Sequence, residues 1–170
     1  MLWDLVNVQK LKRALLYALY MVIVLLLQDA LFSHISILGV RVMLVPAAAV
    51  AVGMFEGGVW GAVFSLALGF LADMSYGNTA LFVALFPCIG FVSGALSRWL
   101  ANRRFFAYLC MALFFLALTA LFQMAELLLM GQNAAELAWV GLWQTLFSLP
   151  FAAVLYFPCK SIAGARDKKG

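Results

Sequence analysis

Charge is what this sequence has least of. Eleven lysines and arginines and seven acids are spread over 170 residues, 11% in all, where a soluble domain carries about a quarter. That excludes an ordinary solvated surface. With 67% hydrophobic residues and a mean hydropathy of +1.07, the chain has no room for a soluble domain and reads as one integral membrane unit. Cysteine is scarce as well: Cys88, Cys110 and Cys159 stand singly in apolar runs, without a CxxC pair, and read as small buried hydrophobes rather than redox or metal groups. The single histidine, His34, has no metal partner near it in sequence and suits the membrane interface. There is no P-loop, HExxH, GxSxG or paired carboxylate at catalytic spacing, so no enzyme, cofactor or metal site is expected. No basic–aromatic groove for nucleic acid is present either. Lys10, Lys12 and Arg13 precede an apolar run in the manner of a signal peptide, but no small-x-small cleavage site follows Leu27, so the first span is expected to stay.

What is present is a succession of apolar runs. Residues 1–13 form a short amphipathic lead-in with Trp3 suited to the interface. Six spans follow, at about 14–31, 40–55, 57–72, 79–100, 105–130 and 137–157, and a basic tail closes the chain at 158–170. The fold expected is an all-α polytopic bundle of six transmembrane helices. Spans two and three are short, about 16 residues or roughly 24 Å each, against a hydrocarbon core of about 30 Å. Pro46 interrupts the second, and Glu56 with two glycines makes the link between them. They read as a tight hairpin of two thin crossings or as a re-entrant pair.

The basic residues decide for two crossings. With six spans and both termini cytoplasmic, Lys10, Lys12, Arg13, Arg98, Arg103, Arg104, Lys160, Arg166, Lys168 and Lys169 all lie inside. Arg41 alone falls outside, so ten of the eleven obey the positive-inside rule. A single crossing at the hairpin moves the 98–104 cluster and the tail to the other side. The basic inner face is expected to attract anionic lipid.

The third span, Gly57 to Asp73, is the most patterned stretch. Small residues recur at Gly57, Gly61, Ser65 and Gly69 and end on Asp73. On a helix these share one face, a bare groove against which another helix can pack closely in lipid. Gly90 and Gly94 repeat the small-xxx-small pattern in span four. Asp73 reads either as a polar stop before the turn Ser75-Tyr76-Gly77-Asn78 or as an anchor for a partner or for Arg41. Glu126, with Gln123 one turn earlier, makes a polar face on span five that must find a partner, inside the chain or beyond it. Glu56 at the hairpin tip reads as solvated. Trp60, Trp99, Trp139 and Trp143 fit interfacial belts.

The run Gly69-Phe-Leu-Ala-Asp73-Met-Ser-Tyr-Gly77-Asn-Thr-Ala-Leu81, with Gly57, Gly61 and Pro46 before it, resembles the MreD rod-shape-determining membrane proteins. The Ala125-Glu126 pair is similar to that family's acidic position in its fifth span. The resemblance covers about residues 14–157. One departure is Ala47, where many members carry an acid directly after the span-two proline. The resemblance implies a non-enzymatic subunit of the cell-wall elongation machinery. Its implied partners are an MreC-type bitopic protein, the MreB filament, and the RodA polymerase with its transpeptidase. On that reading the groove helix and span four, through Gly57, Gly61, Ser65, Gly69, Gly90 and Gly94, hold the partner's helix, with Asp73, Glu126 and Arg41 as polar anchors. The family is similar in fold to the S-components of energy-coupling-factor vitamin transporters. A vitamin-binding S-component is therefore the alternative, and Ala14-x-x-x-Ala18 in span one resembles the docking patch of such proteins.

Overall fold

Among the described residues, six α-helices follow one another along the chain. The computed structural model describes residues 2–32, 36–37, 40–76, 81–99, 105–131 and 133–164. α1 (Leu2–Leu27) runs into one π-helical turn (Gln28–Phe32). Two two-residue strands, β1 (Ser36–Ile37) and β2 (Val40–Arg41), pair antiparallel. Then come α2 (Val45–Glu56), α3 (Gly58–Tyr76), α4 (Leu81–Trp99), α5 (Phe105–Leu129) and α6 (Ala134–Gly164). The all-α bundle expected from the sequence is the fold. The lead-in is not a separate piece, because residues 2–13 continue into the first span as one helix. Expectations for His34, Asn78, Arg103, Arg104, Arg166, Lys168 and Lys169 lie outside the described residues, as does the side chain of Arg41.

α2 is the axis of the molecule. Every residue from Val45 to Phe55 is buried, and all five other helices touch it. Its sequence permits this: four alanines, three valines and one glycine leave a thin cylinder, apolar all round until Glu56. It is also short, 12 residues or about 18 Å. Pro46 sits in its first turn, where the missing N–H costs nothing, and ahead of it Val42–Leu44 is non-helical. Among the described residues, four helical stretches, 11–30, 58–75, 105–129 and 134–163, are long and apolar enough to cross a membrane. α2 and the apolar part of α4, Leu81–Ser97, are shorter.

The link from α2 to α3 is the single residue Gly57, at φ 93°. That backbone conformation favours glycine, which lacks a Cβ. Its N–H donates to the carbonyl of Gly53 at 2.9 Å, closing α2 while α3 folds back along it. α4 then returns along α3, and these two share the most extensive interface in the bundle. α5 and α6 form a second antiparallel pair that closes over the other side of α2.

Candidate functional site

The glycine row of α3 is an interface, but an internal one. A Cβ placed on Gly61 stands 2.5 Å from the Cα of Gly53 and 2.8 Å from the carbonyl oxygen of Gly90. One on Gly69 stands 2.5 Å from the carbonyl oxygen of Phe82. Cβ atoms on Gly90 and Gly94 run into the backbone of Gly61 and of the Gly57–Gly58 link. No real Cβ tolerates such distances, so α2, α3 and α4 meet backbone to backbone. This corrects the expectation that Gly57, Gly61, Ser65, Gly69, Gly90 and Gly94 receive a partner's helix. The seam is real, but the chain's own neighbours fill it, because a 12-residue helix of small residues can lie in it and a foreign helix would have to displace the core.

Asp73 is also turned to internal use. It is 9% exposed, and its two carboxylate oxygens accept the backbone N–H groups of Phe82 (3.3 Å) and Val83 (2.8 Å). The first turn of any helix leaves N–H groups without partners and carries the positive end of the dipole. Asp73 therefore caps α4 from the end of α3 and fixes the pair end to end. Both sequence alternatives, polar stop and external anchor, give way to this one. Arg41 enters the ladder with Ser36 through its backbone.

The polar residues that converge elsewhere were mostly not singled out by the sequence. Val42 and Met43 carry their backbone through the bundle without helical hydrogen bonds, and Leu44 gives only its carbonyl to α2, accepting from Ala48 N at 3.1 Å; unpaired groups are costly inside an apolar medium. Gln28, 4% exposed, satisfies two of them at once. Its amide nitrogen donates to Val42 O (2.7 Å) and its amide oxygen accepts from Leu44 N (2.7 Å), an imitation of a neighbouring strand. Ser148 Oγ of α6 accepts from Met43 N (2.9 Å) and donates to Gln144 O (2.7 Å). The side-chain amides of Gln123 (α5) and Gln144 (α6) meet over the Met43 thioether at 3.7 and 3.6 Å, and 3.5 Å from each other. Sulfur is a weak acceptor, so both amides keep hydrogen-bonding capacity in reserve. Glu126 lies one turn beyond Gln123 and is itself engaged. The cluster binds the broken entry of α2 to α1, α5 and α6.

At the opposite end, where Arg13 and Lys160 stand, Arg13 pairs with Glu56 at 3.7 Å. Glu56 is thus tied to α1 rather than free at the hairpin tip. Tyr20 OH donates to Leu155 O (3.3 Å), and Tyr108 OH is shared between Ala152 O (2.8 Å) and Ala47 O (3.3 Å). Among the described residues, no group of three or more His, Cys, Asp or Glu is close enough to hold a metal ion. The cysteines are free, Cys88 and Cys110 exposed and Cys159 buried. The arrangement offers amide and hydroxyl recognition and apolar packing; no nucleophile with its base is assembled among these groups. No protein-family model matches the chain, and neither a curated protein nor a solved structure does.

Proposed function

We propose that this protein is a non-enzymatic membrane scaffold, the MreD-like subunit of a bacterial cell-wall elongation complex, with both termini cytoplasmic and its basic end on anionic lipid. The observation that carries the reading is the two-sided character of α3 within the resemblance region. Its small stripe locks it to α2 and α4. Its other side presents Val59, Val63, Leu66, Phe70 and Met74, each about half exposed or more, at helical spacing. A rigidly backed apolar helix face of this kind suits a single-span partner of the MreC type better than a groove does, since it loses little conformational freedom on docking. The MreB filament and the RodA polymerase with its transpeptidase are assigned to the same assembly on the resemblance alone. Affinity purification from native membranes, with mass-spectrometric identification, tests the reading. A bitopic partner is expected to co-purify and to be lost from a Val63→Ala/Phe70→Ala variant that stays folded. If the wild-type protein brings down no such partner, the reading fails.

A second reading, the S-component of an energy-coupling-factor transporter, is favoured by one observation. The broken entry of α2, lined by Gln28, Gln123 and Gln144, has the form of a discontinuous transmembrane helix, where transporters hold their substrates. Recovery of transport ATPases and a bound vitamin in the same experiment decides for it.

A further inference from the structure

α1 is attached unlike any other helix. Along its length it buries Tyr17, Tyr20, Met21, Val24 and Gln28, a narrow stripe, while Leu11, Leu15, Leu19, Val22 and Leu26 face outward. Polar clasps flank the second half of α1: the Gln28 amide, in the π-helical turn that follows it, on the Val42–Leu44 backbone with two 2.7 Å bonds, and the Arg13–Glu56 pair at 3.7 Å, in which Arg13 is 32% exposed. Between the clasps α1 touches α2 and α3 far less extensively than α3 and α4 touch each other, although no gap wide enough for water separates Tyr20 and Met21 from Ala49, Val52 and Ser65. One sealed hydroxyl on this side, Tyr17 Oη, lacks a hydrogen-bond partner of good geometry, although Glu56 lies beside it. Close packing and satisfied polar groups are what make an interface cooperative. This interface is much less extensive than the α2–α3–α4 seam, and the clasp at its basic end is a part-exposed ion pair, which is weak.

We propose that α1 is a releasable strut: pinned by Gln28, it swings away from α2 and α3 at its basic end, with the Arg13–Glu56 pair as the catch. The motion opens the sparsely attached α1 side of the bundle while the glycine-packed side stays closed. It goes beyond the scaffold reading and does not depend on it.

The chain carries its own reporter. Cys159 is fully buried, its thiol lies against Tyr20, and Cys88 and Cys110 are exposed and can be replaced by alanine. The remaining thiol is then labelled with N-ethylmaleimide in purified full-length protein reconstituted in nanodiscs. Glu56→Gln and Arg13→Gln are each expected to raise the Cys159 labelling rate about fivefold, the change that loss of a part-exposed ion pair makes in a local opening equilibrium. A second reporter, Thr119→Cys in a Cys159→Ala background, sits fully buried on α5 and is expected to keep its rate. Equal Cys159 rates in the wild type and both variants overturn the proposal. So does a matching acceleration at position 119, which indicates general loosening rather than movement of α1.

Discussion

The two sides of the bundle are held to α2 by opposite means. On the α3–α4 side the adhesive is absence: glycines at 53, 61, 69, 90 and 94 let carbonyls and Cα atoms touch, so dispersion and weak Cα–H···O contacts act at the shortest range backbones allow. On the α1, α5 and α6 side the adhesive is presence. Tyr20, Tyr108, Gln28 and Ser148 reach across to carbonyls and amides, and Tyr156 packs its ring against Phe55, Phe105 and Tyr108 at 5.2–5.4 Å. The first mode is intolerant of added atoms and indifferent to polarity. The second tolerates small changes of volume but not the loss of a polar tip. In lipid, where burial of apolar surface gives helices little reason to associate, these are the two available ways to hold a bundle together.

The comparison predicts an order of mutational damage. Gly61→Leu is expected to be the most harmful, more than about 4 kcal/mol, since backbone lies where the side chain must go; monodisperse protein on size exclusion in mild detergent should be lost. Gln28→Leu comes next. It strands a carbonyl and an amide at the entry of α2 and should cost about 3 kcal/mol in a thermal unfolding series. Asp73→Ala removes the cap of α4, for about 1–2 kcal/mol, and Asp73→Asn should restore part of it because an amide oxygen still accepts. Tyr108→Phe deletes one shared hydroxyl bond, about 1 kcal/mol by the same measurement. The smallest effect has the opposite sign. A Cβ on Gly141 of α6 meets only the Ala120 Cβ, at an ordinary 3.7 Å, so Gly141→Ala should be neutral or stabilise by up to about 1 kcal/mol. A strongly destabilising Gly141→Ala, or a tolerated Gly61→Leu, breaks the distinction between the two sides.

Much of the framework was readable before any coordinates. The apolar runs, their order and the tight hairpin at Gly57 follow from composition and period alone, and the four-residue spacing of small residues correctly marks a seam of close approach. What spacing does not encode is whose backbone enters the seam. Gly53 and Gly90 are remote from Gly61 in different ways, one across a turn and one across a whole hairpin, and neither announces its partner. The same limit hides Gln28. It reads as a polar end to span one because the strand it completes begins 14 residues later and has no pattern of its own. Asp73 stands out in the sequence as a polar residue near a span end, but its role as the cap of α4 is a contact with residues nine and ten positions further on, which spacing does not encode. Tyr108 and Ser148 carry hydroxyls whose partners, Ala47, Ala152 and Met43, lie far along the chain or on another helix, and spacing does not reveal them.

The complete enclosure of α2 has a consequence for how the chain is made. A helix of 12 residues, about 18 Å long, is too short to span a hydrocarbon core of about 30 Å by itself, and its last walls, α5 and α6, are synthesised some fifty residues and more after it. During synthesis α2 must therefore wait, propped by α1, α3 and α4, with one flank bare. Truncation before α5 is thus expected to leave a chain that inserts but is rapidly degraded.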